Sequence, residues 1–145
     1  MIPRFAIKKD ILGILELYKE LNPDDPLLDT DKATLVWDKI NKSGIIKYIV
    51  LEEQNVIIST CSIVVIPNFT RGARAYAVLE NVITKKEHRN KGYGKLLIAK
   101  AIEHAKENNC YKIMFLSGVK RTEAHRFYER LGFNRHEKVG FVMSL

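Results

Sequence analysis

The sequence predicts an α/β fold with a mixed sheet, and three observations support this prediction. Helical and strand-like segments are interleaved along the 145 residues. Residues 56–66 are dense in valine and isoleucine, which favour strands. A strand at 74–84, a glycine turn, a helix at 92–107 and a strand at 111–117 form a unit typical of a right-handed crossover. The length and the 46% apolar fraction fit one domain, residues 1–145, with a buried core.

The first half of the chain predicts an extended segment followed by two helices. Residues 4–7 are extended, and Asp10 is a suitable N-cap for the first helix. This helix is indicated by residues at positions i, i+3, i+4 and i+7, namely Ile11, Ile14, Leu15 and Tyr18. Thr30 or Asp31 caps a second, shorter helix around residues 33–40.

The second half predicts most of the sheet and two more helices. Strands are expected at 47–52, 56–66, 74–84 and 111–117. The helix after Gly92 carries an apolar stripe of Leu97, Ile98, Ala101, Ile102 and Ala105. A last helix has the same spacing at Ala124, Phe127, Tyr128 and Leu131, and Gly132 follows it as the C′ residue. Residues 133–145 are expected to end the chain in strand-like pieces.

The charge distribution favours a compact anionic ligand. Residues 85–95 hold five basic residues and one acid, so this segment supplies +4 of the net charge of +7. One basic knot that contains glycines fits a small anion better than a long nucleic-acid duplex. The chain has no apolar run of membrane-spanning length and no signal-peptide layout. Cys61 and Cys110 have no histidine at zinc-ligand spacing, so we expect a metal-free protein. Together with the charge distribution, these features predict a cytoplasmic protein without nucleic-acid or membrane partners.

One turn between a strand and a helix has the composition of a pyrophosphate site. It reads Arg89-Asn90-Lys91-Gly92-Tyr93-Gly94 and is followed by Lys95. The start of a helix offers unpaired N–H groups and a positive dipole end, and glycines let the backbone close around an anion. A pair of glycines also occurs in ordinary turns. The Rossmann pattern fails because Leu97 stands where a third glycine belongs, and no P-loop Gly-Lys-Ser/Thr follows.

Two motifs together resemble the GNAT superfamily of N-acetyltransferases. The first is Arg89-x-x-Gly92-x-Gly94 after Val82-Ile83-Thr84, which is similar to the acetyl-CoA signature of that family. The second is Ala124-His125-Arg126-Phe127-Tyr128-Glu129-Arg130-Leu131-Gly132-Phe133, similar to its A-x-x-F-Y-x-x-x-G-F segment. The resemblance implies acetyl-CoA as co-substrate. It also implies a mostly antiparallel central sheet with splayed strands, flanked by helices.

The resemblance also implies which residues bind the co-substrate. The backbone of Val82, Ile83 and Thr84 would pair with the pantetheine arm, and the turn would hold the pyrophosphate. The turn residues concerned are Arg89, Asn90, Lys91, Gly92, Tyr93, Gly94 and Lys95. Arg121 stands where many members have asparagine. It either meets a phosphate of the cofactor or is simply solvated.

The reaction requires an amine to lose a proton, and Glu80 is the candidate base. A lysine-like amine has a pKa of ~10.4, so its neutral form lies about 4.6 kcal/mol uphill at pH 7. Glu80 lies within the strand-like segment 78–83, where an acid is costly unless it has a role or a partner. Strand alternation predicts that Glu80, Val82 and Thr84 share one face, and Asn81 and Ile83 the other. The alternative is an edge-strand acid paired with lysine or arginine.

Tyr128 is the candidate acid for the departing thiolate. Full proton transfer from a tyrosine (pKa ~10) to a thiolate (pKa ~8.5) is uphill by about 2 kcal/mol, but a hydrogen bond already stabilises the sulfur. The alternative is a core aromatic on the helical stripe. A strand amide near Val82 is the expected oxyanion donor. His125 fits a surface or capping role better than a proton relay, and the resemblance assigns Trp37 and residues 67–71 to the acceptor cleft.

The predicted function is direct transfer of the acetyl group from acetyl-CoA to a primary amine of a small molecule. The alternatives are a protein amine as acceptor, a non-catalytic coenzyme-A-binding module and a nucleic-acid binder. Residues 80–82 and 109–113 are similar to stretches of glucosamine-6-phosphate N-acetyltransferases, so a phosphorylated amino sugar is one option for the acceptor. The composition leaves the oligomeric state open, although similar proteins are commonly homodimers.

Overall fold

The computed structural model describes residues 1–145 as two compact units, Met1–Met114 and Phe115–Leu145. The first unit contains strands β1 (Arg4–Phe5), β2 (Ile46–Glu53), β3 (Val56–Ile66), β4 (Tyr76–Thr84) and β5 (Ile113–Met114). Its helices are α1 (Ile11–Leu21), α2 (Thr30–Ser43) and α3 (Tyr93–Glu107). Short turns of 3-10 helix lie at Lys8–Asp10 and Lys86–His88, and a helical turn lies at Thr70–Ala73. The second unit contains helix α4 (Thr122–Arg130).

The five strands form one sheet in sequence order, and it is mostly antiparallel. Strands β1 to β4 pair antiparallel, whereas β5 pairs parallel to β4. The predicted mixed sheet, the strand at 56–66 and the parallel pairing across α3 are therefore confirmed. The strand predicted at 111–117 shrinks to two residues, because its ladder with β4 comprises only two pairs.

Helices cover both faces of the sheet. On one face, Ile14 and Leu17 of α1 pack with Val50, Ile57 and Ile83. On the other face, β1 places Phe5 opposite Ile49, and the Phe5 ring contacts His104 of α3 at a centroid distance of 5.1 Å. The consecutive buried residues Ile49, Val50 and Leu51 alternate between these two faces.

One predicted helix cap is right in position only, and another is wrong. Asp10 occupies the N-cap position of α1 as predicted, but its buried carboxylate does not cap the helix, because Arg4 binds it at 2.6 Å and the Ile7 amide donates to it at 2.8 Å. Burial opposes ionisation of this carboxyl group, but these two donors outweigh burial and hold its pKa below the usual value. In α2 the N-cap is Asp29, whose side chain accepts from the Lys32 amide at 2.8 Å, rather than Thr30 or Asp31.

The second unit is built around α4. Gly132 follows this helix at φ +92°, a left-handed conformation that confirms its predicted place as the C′ residue. The strand-like pieces predicted for residues 133–145 are absent, so that prediction is wrong. Strand propensity is not sufficient there, because these residues form no ladder with another segment.

Candidate active site

The last residues of β4 lie at an open strand edge. The ladder between β4 and β5 ends at the pair Val78 and Met114, whereas β4 continues to Thr84. Beyond Val78, β4 therefore pairs with β3 on one side and with no strand of the first unit on the other. Such an edge presents backbone N–H and C=O groups that an extended molecule can pair with.

A β-bulge interrupts β4 within this open stretch. In the β3–β4 register Thr60 pairs with Ile83 and Ser62 pairs with Glu80, so Asn81 and Val82 together face Cys61. Asn81 has φ +54°, in the left-handed region that asparagine tolerates better than most residues. A bulge removes backbone groups from the regular ladder and redirects side chains, so it loosens β4 next to the open edge.

The bulge overturns the predicted distribution of β4 side chains between the two faces. Partners in an antiparallel pair share a face, and Thr60 and Ser62 lie two residues apart, so Glu80 and Ile83 share a face. Thr84 pairs with Ser59 and lies on the other face. The prediction that Glu80, Val82 and Thr84 share one face, and Asn81 and Ile83 the other, is therefore wrong, since simple alternation ignores the extra residue.

Glu80 lies on the sheet face that α1 covers, and its side chain is exposed. Its neighbour across β3 on that face is Tyr48, because Ser62 pairs with both residues. The Glu80 side chain forms no ion pair or hydrogen bond, so the alternative of an acid paired with a lysine or arginine does not describe it. The carboxylate is open to solvent.

The turn after β4 contains two residues with a left-handed backbone. Asn90 and Gly92 both have positive φ, +62° and +84°. The Gly92 carbonyl accepts the first helical hydrogen bond, from the Leu96 amide, so the amides of residues 93–95 precede the hydrogen-bonded part of α3. The side chains of Lys91 and Lys95 are exposed and form no ion pair. The turn thus combines free amides, a helix N-terminus and unpaired cations.

Arg89 is already engaged by the protein. Its Nε donates to the Thr84 carbonyl at 2.9 Å, and its Nη2 lies 3.8 Å from Oε2 of Glu20 on α1. The Thr84 hydroxyl meets Ser59 Oγ at 2.7 Å, and the same Ser59 oxygen donates to the Ile83 carbonyl at 2.9 Å. These bonds connect the end of β4 to the turn and to β3.

A groove of about 720 Å³ lies between α1 and the β2–β3 turn. Its lining includes Glu20 and Lys85, but neither Glu80 nor any residue of the turn 89–94. The candidate site in the first unit is therefore an open strand edge followed by a turn, rather than an enclosed cavity.

The cysteines are poorly suited to nucleophilic catalysis. Cys61 is fully buried, and burial raises the pKa of its thiol to about 12. Burial also raises the pKa of Cys110, and the nearby Arg74 only partly offsets this effect. A thiolate is the reactive form, so neither residue provides a ready nucleophile for a covalent acyl-enzyme.

Tyr18, which the sequence predicted only as part of the apolar face of α1, lies near the bulge. The Tyr18 hydroxyl is buried beside Tyr48 and the side chain of Asn81. Burial, followed by the neighbouring Tyr48, raises the pKa of Tyr18 far above its usual value. The amphipathic spacing of α1 correctly placed Tyr18 on the buried face, but it gave no sign that its hydroxyl meets a bulge in β4.

In the second unit, Tyr128 is buried in an aromatic cluster. Its ring lies 4.3 Å from Phe115, 5.0 Å from Phe127 and 6.0 Å from Phe133, measured between centroids. Its backbone carbonyl accepts from the amide of Leu131 at 2.9 Å. The cluster fixes the ring in one orientation, which suits either packing or a positioned hydroxyl group.

Arg121 and His125 lie at the start of α4. Arg121 is exposed and forms no ion pair, so its guanidinium is available to an anion or to water. His125 Nε2 lies 3.0 Å from the Gly118 carbonyl, which favours the predicted capping role over a proton relay. Both alternatives stated for Arg121 therefore remain compatible with its surroundings.

The residues assigned to the acceptor cleft have different environments. Trp37 is only 9% exposed and packs 6.3 Å from the Tyr48 ring, so it contributes to the core of the first unit rather than to an open cleft. Phe69, in the loop 67–71, is fully exposed. The structure contains no cluster of three or more metal-ligating side chains. None of the helices combines the length and the apolar composition that a bilayer span requires.

Comparisons with known proteins agree on one family. The model of the acetyltransferase (GNAT) family matches residues 14–133. A glucosamine 6-phosphate N-acetyltransferase from Trypanosoma brucei brucei is 33% identical over 136 residues, which cover 93% of this chain and 90% of that protein.

Solved structures share the fold. A structure from Agrobacterium tumefaciens str. C58, provisionally named an acetyltransferase, is 39% identical with a TM-score of 0.95 and covers 100% of both chains. The glucosamine-6-phosphate N-acetyltransferase of Arabidopsis thaliana has a TM-score of 0.84 at 24% identity, with 99% of this chain and 95% of that chain covered. The predicted sheet with helices on its faces is confirmed by both likenesses.

Proposed function

The chain belongs to the GNAT family of acetyltransferases and is an acetyl-CoA-dependent N-acetyltransferase, and we propose that its acceptor is the primary amine of a phosphorylated amino sugar. The name of the Trypanosoma brucei brucei relative supports this acceptor class. In this proposal residues 1–145 work as one N-acetyltransferase domain in the cytoplasm, and we expect a homodimer.

One observation carries the proposed binding mode: β4 runs past the end of its ladder with β5, and only the short 3-10 helix Lys86–His88 separates its end from the turn at residues 89–94. The open edge at Val82, Ile83 and Thr84 suits the amides and carbonyls of a pantetheine arm. The turn suits a pyrophosphate, because its amide N–H groups present the positive ends of their dipoles, and the side chains of Lys91 and Lys95 are positively charged. The strand edge and the turn follow one another along the chain, which suits a ligand that has both a pantetheine arm and a pyrophosphate.

Acetyl-CoA supplies an acetyl group activated as a thioester. Glu80 accepts the proton of the acceptor ammonium group, directly or through a water molecule. Its position supports this role, because Glu80 lies on the face covered by α1, and the resemblance to the GNAT family assigns acceptor selection to the early helices and nearby loops. The amine nitrogen then forms its bond to the acetyl carbon while the carbon–sulfur bond breaks.

Two further groups stabilise the charge that develops during transfer. The amide of Val82, released from regular pairing by the bulge, donates to the acetyl oxygen. The Tyr128 hydroxyl donates its proton to the departing sulfur, which leaves as the thiol of coenzyme A, and Tyr128 regains a proton from the nitrogen as the amide forms. Since neither cysteine offers a ready thiolate, the acetyl group passes directly from one substrate to the other.

An acceptor panel tests the proposed substrate class. The release of free thiol from acetyl-CoA is measured with glucosamine 6-phosphate, glucosamine, aminoglycosides and a lysine-containing peptide. We expect the largest kcat/KM for the phosphorylated amino sugar, because its phosphate adds a charge-assisted contact that the sugar alone lacks. Greater activity on the peptide would favour the protein-amine alternative, and absence of turnover with bound acetyl-CoA would favour a binding module.

The substitution Tyr128→Phe tests the proposed acid. Phenylalanine retains the ring contacts with Phe115 and Phe133, so the fold should persist while kcat falls about 100-fold. The KM for acetyl-CoA should change little, because the hydroxyl acts on the leaving group. Tyr111→Phe is the matched control and should keep the wild-type kcat. Equal turnover of the Tyr128→Phe enzyme would remove this residue from the mechanism.

A further inference from the structure

The phosphate-binding turn is held by a residue outside its own segment. Glu53 is the last residue of β2, in the hairpin that leads to β3. Its Oε2 lies 3.3 Å from Nδ1 of His88, and its Oε1 lies 3.5 Å from the hydroxyl oxygen of Tyr93, which donates to it. His88 immediately precedes Arg89, and Tyr93 immediately follows Gly92. One carboxylate therefore contacts both ends of the four-residue turn 89–92.

These contacts are partly buried. The His88 side chain is 18% exposed and its Nδ1 atom is buried, whereas the Glu53 side chain is 39% exposed. The rings of His88 and Tyr93 face each other at 6.3 Å and 34°. Glu53 and His88 therefore make a close polar contact without an aligned hydrogen bond, whereas the Tyr93 hydroxyl donates to the other carboxylate oxygen.

The turn needs such support because of its backbone. Asn90 occupies the left-handed region, which costs free energy for a residue with a side chain, whereas Gly92 adopts it readily. A second acid, Glu20, supports the approach to the turn. Its Oε2 accepts from the Lys86 amide at 3.0 Å and lies near Arg89. Two carboxylates from distant segments thus bind the residues around the turn.

Simple electrostatics would not place acids here. A carboxylate near an anion site repels the ligand, so its removal should strengthen binding if charge alone matters. A carboxylate that fixes the geometry of the turn has the opposite effect, because its loss lets the amides point away from the ligand. The sign of the change therefore separates the two roles.

We propose that Glu53 is a positioning residue of the enzyme, which holds His88 and Tyr93 so that the turn between them keeps its anion-binding shape. This inference rests on the proposed function, in which the turn binds the pyrophosphate of acetyl-CoA. Glu53 acts through its two partners and does not touch the ligand.

The test is the dissociation constant of coenzyme A, measured by isothermal titration calorimetry on the full chain. Glu53→Ala should weaken binding about tenfold, because two contacts to the turn are lost. Glu53→Gln keeps groups that can accept from Tyr93 and pair with His88, so its affinity should stay within about threefold of the wild type. At saturating acetyl-CoA, the KM for the acceptor should not change in either variant.

Glu52→Ala is the matched control. Glu52 is the preceding residue of the same hairpin, but its carboxylate pairs with Arg4 instead of the turn. It should lose a comparable ion pair without weakening coenzyme A binding. Tyr93→Phe deletes a single hydroxyl and should weaken coenzyme A binding less than Glu53→Ala does. In the double variant, the two losses of affinity should not add, because both substitutions remove the same contact.

Each result has a defined meaning. Binding by Glu53→Ala that equals or exceeds that of the wild type, or a loss shared by Glu52→Ala, overturns the positioning role of Glu53. If the Gly92→Val variant also binds coenzyme A as tightly as the wild type does, then the turn itself is not the anion site. That result overturns the proposed binding mode and this inference together.

Discussion

The two halves of β4 have different partners and different environments. Residues 76–79 pair with β3 on one side, and β5 pairs with Ala77 and Val78 on the other. Ala77 and Leu79 in this half are almost completely buried. Residues 80–84 pair with β3 alone, contain the bulge at Asn81, and carry Glu80 in solvent. One nine-residue strand is thus a core element at its start and an open edge at its end.

This difference shows how a single strand can both stabilise a protein and receive a ligand. The first half fixes the position of the strand because its side chains are packed and its backbone is paired on both sides. The second half keeps backbone groups accessible at a defined place, because the first half holds it there. Substitutions in the two halves should therefore have separable effects on stability and on activity.

The largest effect is expected from Leu79→Ala in the packed half. The side chain is 1% exposed, so its truncation should lower the free energy of unfolding by about 2–5 kcal/mol. Chemical denaturation measures this loss, and kcat/KM per folded molecule should remain close to that of the wild type. A large loss of activity in the folded variant would show that the two halves are not separable.

A smaller effect, confined to activity, is expected from Glu80→Gln in the open half. The unpaired, exposed carboxylate should leave thermal stability unchanged, whereas loss of the base should lower kcat about 100-fold at pH 7. The deficit should shrink as pH approaches the pKa of the acceptor amine, because the amine then loses its proton without help. Glu107→Gln, an exposed acid at the end of α3, is the control, and a similar kcat in both variants would refute the role of Glu80.

The smallest of these effects is expected from Gly92→Val in the turn that follows the open half. A Cβ at Gly92 meets no atom within 4 Å, so the substitution acts only through its φ of +84°. We expect about tenfold weaker binding of coenzyme A. Gly44→Val, at φ +71° after α2 and equally open, should cause similar strain without changing this affinity. Equal affinities of the two variants would argue against the turn as the anion site.

The elements that have a regular apolar pattern in the sequence were predicted correctly. The valine-rich β3, the apolar stripe of α3 and the turn at Gly92 all lie where they were predicted. The bulge was not predictable, because a left-handed Asn81 leaves the apolar alternation of β4 almost unchanged. The contacts of Asp10 were also missed, since they depend on Arg4, which only the fold brings to that carboxylate.

The candidate site also has parts that the sequence predicted and parts that depend on the fold. Motif spacing located the turn and Tyr128, because these residues are consecutive or regularly spaced along the chain. The contacts of Glu53 with His88 and Tyr93 join segments 35 and 40 residues apart, and no local pattern contains them. Similarly, the face on which Glu80 lies depended on pairing with β3 rather than on the sequence of β4 itself.

Cys61 lies on β3 opposite the bulge and is fully buried, so its thiol reports local opening of the core at that place. An alkylating reagent can reach this sulfur only when the core around it opens, so the rate of labelling measures that opening. Cys110 is partly exposed and should react sooner, which provides an internal reference within the same molecule. A ligand bound along β4 would stabilise this part of the core and slow the labelling of Cys61, but not that of Cys110.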